Sequence, residues 1–512
     1  MSKRALIILQ RDWGRKIGRY IAGKMAEDGY VLSAFTLKRS THNYFTSQNE
    51  INFCHLINLD EIIESPNSVE GIDDITLNEV CDELSLNTIW PLFQERLYSR
   101  NYNDKYYYSF RQNRNDVDSI NLIKAFYASI STFFNHCKPD VIISPNFATL
   151  IHAMLYHYSK SRGVPMLAFE PSFVSGIYVG NTDYSWASPS VSSRFNQLMR
   201  GDFKSENWDR SKAYISRFRK SFIEPTNHVE NITNFSGITD VKSRQAINLP
   251  KIGLKKRVKL RLRPLRQLLN RSYRGSENKL KNIGDTPDSR SLKTFIRDYM
   301  VHKRNVRNLR KIEYIRELPK QFAYLPLQVQ PEQTIDIIAP WFNNQIEVAR
   351  LVAQSLPGDM SLVVKEHPAM IGKRSLSYYK KLSKSVNVSL VSPLVHNSEL
   401  LKSATIVIAT TGTSIFEASI YKKPVIQLGD LSISQLLPNV FFHNNLPTLG
   451  DRIVEILNKY RFDENSEAML TRFIAAIYDS GYAFDYGGAV YHGRDLVTIW
   501  EAYKGEIARL TN

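Results

Sequence analysis

An α/β fold made of parallel βαβ units is predicted by three observations. Short apolar runs alternate with helix-length amphipathic stretches, as expected of strands buried on both faces beneath crossover helices. Two of these runs end in polar loops that lead into a helix: Lys365-Glu366-His367-Pro368 follows the run 361–364, and Thr410-Thr411-Gly412-Thr413-Ser414 follows 405–409. The chain has 512 residues, of which 43% are hydrophobic and 23% charged. That is too long for one ordinary domain and apolar enough for a large core, so two or three domains are expected.

The first run, 5–9, reads as a buried parallel strand. A helix over 16–28 is stopped by Gly29, and 30–35 is a second strand. This start lacks Gly-x-Gly-x-x-Gly, the tightest backbone grip on a diphosphate. Residues 37–120 are polar and Asn-rich, with helices predicted near 58–64, 73–84 and 119–136. Residues 140–144 form a strand, 147–161 a helix and 166–170 another strand, which places Glu170 at a carboxyl strand end. The stretch 171–184, with Gly176, Gly180 and Asp183, reads as a loop. Residues 190–250 are partly helical, and 292–316 is a charged amphipathic helix; 191–320 is expected to link domains rather than fold alone. From Phe322 the α/β rhythm returns, with 324–330 extended and strands at 334–339, 362–365, 388–391, 406–409 and 424–428. Helices over 345–356, 376–385, 397–402 and 415–421 lie between them. The tail 447–512 reads as helical, with an aromatic, Gly-rich break over 478–493.

The formal net charge is +17, and ten Lys/Arg without one acid lie within 251–275. The excess is thus largely local and points to an anionic partner. Leu254, Val258, Leu262, Leu265 and Leu269 recur there at helical spacing, which suits an interfacial helix on anionic lipid, although Pro264 argues against one continuous helix. Lys255, Lys256, Arg257, Lys259, Arg261 and Arg263 are the candidate membrane contacts. A solvated linker is the competing reading; no nucleic-acid-binding signature accompanies the segment, so nucleic acid is not an expected partner. Three widely spaced cysteines, Cys54, Cys81 and Cys137, give neither a disulfide framework nor a zinc site, and fit a reducing compartment. No metal or other cofactor is expected. The N-terminal apolar run is too short for a signal peptide, and no run approaches a membrane span.

The ordered set Pro326-Leu327-Gln328-Val329-Gln330-Pro331-Glu332, Lys365-Glu366-His367-Pro368 and Thr410-Thr411-Gly412-Thr413-Ser414, continuing into Phe416-Glu417-Ala418 and Lys423-Pro424-Val425-Ile426, resembles the capsule polysaccharide biosynthesis proteins. These are bacterial GT-B glycosyltransferases. The resemblance covers residues 320–430 well and the N-terminal half only in layout. It implies an α/β fold of two Rossmann-like domains facing a cleft (GT-B), with a helical and basic inter-domain region. The expected division is an acceptor domain over 1–190, a linker region over 191–320, a nucleotide-sugar donor domain over 321–460 and a helical tail over 461–512 that crosses back to the first domain. It implies an enzyme that moves a hexosyl or ulosonic-acid unit from a nucleotide-sugar to a polysaccharide or lipid-linked glycan. Its place would be cytoplasmic, peripheral to the inner face of the bacterial membrane.

Transfer from a nucleotide-sugar requires stabilisation of negative charge on the departing phosphate, which cations and helix N-termini supply. Lys365 offers a point charge, and His367 a hydrogen bond or a proton. Thr410, Thr411, Gly412, Thr413 and Ser414 offer hydroxyls and N–H groups at a helix start. The resemblance places Glu417 on the donor's ribose, while Ser414-x-x-Glu417 equally fits a capping box that needs no ligand. Gln330, with Gln328 and Glu332, would line the cleft near the linker. A general base for the acceptor hydroxyl belongs on the N-terminal side; Glu170 is the first candidate, Asp12 the second and Asp183 the third. Two alternatives stand beside this reading. One is a polyol-phosphate transferase of teichoic-acid type, which usually carries an acid where this chain has Ala409-Thr410. The other is a non-catalytic basic scaffold that binds membrane or nucleic acid.

Overall fold

The computed structural model describes residues 3–94, 115–222, 255, 277–280 and 291–511. Two sheets frame it. The first contains β1 (Arg4–Leu9), β2 (Val31–Thr36), β3 (Phe53–Asn58), β4 (Val141–Ile143), β5 (Met166–Pro171), β6 (Ile177–Asn181) and, from the tail, β13 (Tyr482–Ala483). Their order is β13-β6-β5-β4-β1-β2-β3. Pairing is parallel from β3 to β5 and antiparallel at β5–β6 and β6–β13.

The second sheet contains β7 (Phe322–Pro326), β8 (Ser361–Lys365), β9 (Val388–Val391), β10 (Ile406–Ala409), β11 (Val425–Gln427) and β12 (Val440–Phe442). It is parallel throughout, in the order β12-β11-β10-β7-β8-β9. The chain therefore winds outward in one direction from β7 and then reverses at β10. That doubly wound order opens a crevice at the carboxyl ends of the strands where it reverses. The expected fold class holds: two Rossmann-like α/β units face one cleft.

The local chemistry explains why these strands form. Ala5 to Leu9 and Ile406 to Ala409 are buried without exception, as central parallel strands covered on both faces must be. Four expectations fail in detail. Residues 334–339 are not a strand; they form the short helix Gln333–Asp336 and a turn. Both edges of β7 are already taken by β8 and β10, so Ile335 and Ala339 are buried as a cap on the sheet instead. The stretch 171–184 is not all loop, because Ile177–Asn181 folds back as β6. β3 was hidden in a polar stretch, and its exposed Cys54 and His55 explain why it lacked an apolar signature. Ser414 is not a helix cap: the helix Thr413–Ile420 starts from Gly412, so no Ser-x-x-Glu box forms.

Helices Pro189–Arg200 and Trp208–Ser221 pack with Glu464–Ser480 into a core shared with the second sheet. Phe173 stacks on Phe416 at 5.0 Å between ring centres. Arg219 holds Glu467 through two hydrogen bonds of 2.7 and 3.0 Å and donates to the Ile420 carbonyl. The helix Leu496–Thr511 lies against the first sheet, burying Ile499, Trp500, Tyr503 and Ile507 among β1, β4 and β5 side chains. Among the described residues, no helix is long and apolar enough to cross a membrane. Of the candidate membrane contacts only Lys255 is described, and it is exposed; Lys256, Arg257, Lys259, Arg261 and Arg263 lie outside the described residues.

Tyr503 is 1% exposed, and its ring meets Phe169 at 4.7 Å on the strand that carries Glu170. Tyr503→Ala should therefore lower unfolding stability by about 3–5 kcal/mol, the range for truncating a buried aromatic. Tyr503→Phe should lose much less. Urea denaturation of the two variants measures the difference.

Candidate active site in the cleft

The carboxyl ends of β7, β8 and β10 line a cavity of about 320 Å³ together with residues of the N-terminal half. On the second sheet's wall are Gln328, Lys365, Glu366 and His367, then Gly412, Thr413 and Ser414, and finally Asn397 and Glu417. On the facing wall are Glu170, Pro171, Trp186 and Phe222.

One buried ion pair sets the geometry of the first loop. Arg374 has no exposed surface, and its Nη1 lies 3.0 Å from Glu366 Oε2. Tyr379 donates to the same oxygen at 2.9 Å, and the His367 N–H donates to Glu366 Oε1 at 2.7 Å. Burial pushes the Glu366 carboxyl up, and the neighbouring guanidinium opposes that shift. Glu366 thus faces inward, and Lys365 and His367 on either side of it line the cavity. His367 Nδ1 also accepts from the Ala369 N–H at 3.1 Å, which fixes the ring at the turn before Pro368.

The same arginine reaches the other loops. Its Nη2 donates to the Gln328 carbonyl at 2.7 Å, and Gln328 Nε2 donates to the Thr411 carbonyl at 2.9 Å. Gly412 has φ +91°, and a Cβ there would sit 3.0 Å from Gln328 Oε1. Glycine is required by both its backbone and its neighbour. It begins the helix Thr413–Ile420 and, as glycine, makes no side-chain cap bond to the helix's first N–H groups.

The sequence candidates separate into two groups. Lys365, His367, Gly412, Thr413, Ser414, Glu417 and Glu170 meet at the cavity. Thr410, Thr411, Gln330 and Asp12 do not line it. Thr411 is fully buried and its hydroxyl donates to the Thr334 carbonyl at 2.9 Å, while Thr410 accepts the Gly429 N–H through its carbonyl. Gln330 is 2% exposed and bonds Asp336, Asn343 and Gln345, so it braces the loop from behind. Asp12 is exposed on the short helix Arg11–Trp13. Asp183 caps its own turn, accepting from Ser185 N, Ser185 Oγ and Ala187 N.

Glu417 is held by a relay rather than by a capping box. Asn397 Nδ2 donates to Glu417 Oε2 at 2.6 Å, and Asn397 Oδ1 accepts from the Tyr324 hydroxyl at 2.7 Å. Burial first, and the Glu417 charge second, raise the Tyr324 hydroxyl well above its ordinary value. Glu170 differs from all of these. It is 9% exposed, its Oε1 has no hydrogen-bond partner among the described residues, and burial alone pushes it up to about 8. Asn397, Arg374, Trp186 and Phe222 were missed from the sequence. Asn397 carried a signal, since it opens a predicted short helix at a strand end; Trp186, at φ +58° in a loop, carried none.

Residues 278–434 match the model of the family described as capsule polysaccharide biosynthesis protein. The matched segment spans under a third of the chain. It contains the Gln328, Lys365–Pro368 and Thr410–Ser414 loops, so the resemblance read from the motifs stands. No curated protein matches the chain. Among solved structures, the chain is similar to the KpsC beta Kdo 2,7 transferase of Thermosulfurimonas dismutans, at 11% identity over 73% of this chain and 89% of that one, with TM-score 0.35. It is also similar to the UDP-GlcNAc 2-epimerase of Methanocaldococcus jannaschii, at 13% identity over 93% and 99%, with TM-score 0.24. A glycosyltransferase from Rickettsia africae gives 10% identity over 99% and 98%, with TM-score 0.24. These likenesses are remote, and the reading of the site rests on its own geometry.

Removing one partner of a buried ion pair leaves an uncompensated charge, an effect of roughly 3–5 kcal/mol. Arg374→Met should therefore destabilise the protein by about that amount, and adding Glu366→Gln should restore part of it. A double-mutant cycle in chemical denaturation decides. Strict additivity of the two losses would mean that this pair does not hold the loops.

Proposed function

We propose that the protein is a glycosyltransferase that moves a sugar from a nucleotide-sugar donor to a growing capsular or other surface polysaccharide, or to its lipid-linked acceptor. The observation that carries this reading is the junction in one cleft of a cationic strand-end loop and a helix N-terminus on one wall with a desolvated carboxyl on the other. The family match over 278–434 supports it.

In this reading the donor phosphates lie against Lys365, His367 and the N–H groups of Thr413 and Ser414. As the bond from the anomeric carbon to the phosphate oxygen breaks, negative charge grows on that oxygen. Lys365 and the helix N-terminus offset it, and His367 donates a hydrogen bond. Glu417, oriented by Asn397, takes the ribose hydroxyls. The new bond forms from the acceptor oxygen to the anomeric carbon, and the acceptor's proton passes to Glu170. A carboxylate whose pKa lies near 8 is a stronger base than an ordinary one, which suits it to a sugar hydroxyl. Residues 1–190 serve the acceptor and 321–460 the donor. The basic residues 255–263 set the protein against anionic lipid at the inner face of the bacterial membrane.

Thermal-shift screening against CMP-, UDP- and GDP-sugars identifies the donor, because a ligand of the native state raises the melting point. Lys365→Ala and His367→Ala should each reduce transfer by about 100-fold, the scale of one lost electrostatic or proton donor, while the melting point of the free protein holds. Full activity in both would remove the donor-site assignment. Recovery of a phosphopolyol rather than a sugar on the acceptor would establish the teichoic-acid-type alternative.

Glu170 gives a pH test. Its folded pKa is raised, so the carboxylate a base requires is lost as pH falls below about 8. Activity should rise with pH up to that value and then level. Glu170→Gln should abolish the rising limb with the activity yet still bind donor. Because the unfolded carboxyl ionises near its ordinary value of about 4.5 while the folded one keeps its proton up to about 8, the parent loses stability as pH rises through that window, so the same variant should melt higher than the parent at pH 9, by less at pH 6, and about equally at pH 4.

A further inference from the structure

The helix Leu292–Asn308 is inside out. Its protein-facing side is polar, with Thr294, Asp298 and Asn305 buried. Asn305 Nδ2 donates to the Gly372 carbonyl at 3.3 Å. The contact is close enough that a Cβ on Gly372 would come within 2.5 Å of His302 and 2.6 Å of Val306. The outward side is apolar: Leu292 is 57% exposed, Ile296 51%, Tyr299 40% and Met300 64%. At 3.6 residues per turn, these four fall within an arc of about 100°.

Charge follows the same division. Lys293, Arg297, Lys303, Arg304 and Arg307 are all exposed, within or beside the apolar arc. The helix's one acid, Asp298, is 3% exposed on the opposite side. An aligned apolar stripe of this kind marks an interaction surface. A stripe bordered by cations, with the acid turned away, complements a surface that is apolar in depth and anionic at its face. The long Lys and Arg side chains can reach headgroups while the stripe enters the acyl boundary.

We propose that Leu292–Asn308 lies flat on an anionic lipid bilayer and is the protein's docking element, with Ile296 and Met300 at the centre of the contact. This deepens the membrane placement proposed above and shifts it to a helix seated on the turn that follows the Lys365–His367 loop. Docking here holds that wall of the cleft at the surface from which a lipid-linked acceptor is presented.

The test is sedimentation of the full-length protein with vesicles, read independently of transfer. The parent should bind vesicles of phosphatidylglycerol mixed into phosphatidylcholine at least tenfold better than pure phosphatidylcholine, and added salt should weaken the binding. Ile296→Asp with Met300→Asp should lose that binding by about tenfold or more, whereas Ile296→Leu with Met300→Leu should retain it. Unchanged melting points confirm the fold of both. Undiminished binding by the aspartate variant would overturn the proposal, since the segment 251–275 would then suffice. So would light scattering that shows a dimer of the parent dissolved by the same substitutions, because the stripe would then be covered by a second copy of the chain. Absence of sugar transfer by the parent, with its vesicle binding intact, would count against the glycosyltransferase reading and not against docking.

Discussion

Arg374 has no exposed surface, yet it touches all three strand-end loops that build the second sheet's wall of the cavity, two directly and one through Gln328. A guanidinium can do this because its donors are fixed in a planar fork. One side meets the Glu366 carboxylate, and another meets the Gln328 carbonyl. Loops are ordinarily the mobile parts of a sheet protein, and a phosphate site needs its donors fixed in advance. Here the fixing group lies behind the loops rather than in them. Lys365 and His367 face the cavity because Glu366 between them is anchored in the opposite direction. An apolar triad of similar volume could hold the backbone equally firmly. It could not supply the hydrogen bonds that set the His367 N–H and the Gln328 carbonyl.

The opposite wall is positioned by chain crossing. After the second sheet is complete, the tail returns, adds β13 to the first sheet and packs Leu496–Thr511 across β1, β4 and β5. Space there is tight: a Cβ on Gly180 would lie 2.9 Å from Glu506, and one on Gly481 would lie 2.4 Å from Ile177. In the other direction, Phe173 and the helices 189–221 join the core of the second sheet. Each unit therefore contains a piece of the other's sequence. Ser185 and Ser432, bonded both through the backbone at 2.9 Å and through their hydroxyls at 2.6 Å, tie the two beside the cavity. The distance across the cleft follows from these exchanged segments.

Much of this was legible from the sequence, for physical reasons. Central parallel strands must be apolar on both faces, so β1, β8 and β10 announced themselves. Strand-end loops with Lys, His, Gly and hydroxyl residues marked the cavity wall proposed for the donor, because phosphate recognition would need such groups there. Three things were not legible. β3 is half exposed and β6 carries no alternating pattern, so neither stood out from its surroundings. Residues 334–339 have strand composition, and only the occupied edges of β7 exclude them from the sheet. The roles of Thr411, Gln330 and Glu417 depended on which way each side chain turns. Thr411 turns into the core, Gln330 turns behind its loop, and Glu417 turns to Asn397 rather than to a cap. Neither composition nor spacing encodes that choice.

Glu170 is the position where stability alone gives no account of the residue. Its backbone is satisfied by pairing with Val179 on β6, so the ladder does not need its side chain. Its neighbours Ala168 and Phe169 show that apolar residues fill this strand well. A carboxyl placed here gains no cation among the described residues and leaves Oε1 without a partner among them, and burial drives it toward the neutral acid. Every one of those terms opposes folding with the group charged. By contrast, the buried acid on the other wall, Glu366, is fully paired and keeps a structural role. Both residues line one cavity, but the Glu366 carboxyl is turned back onto a guanidinium that neutralises it, while the Glu170 carboxyl is left to take up or release a proton. That asymmetry is what separates a brace from a base, and it supports the proposal that Glu170 takes the acceptor's proton.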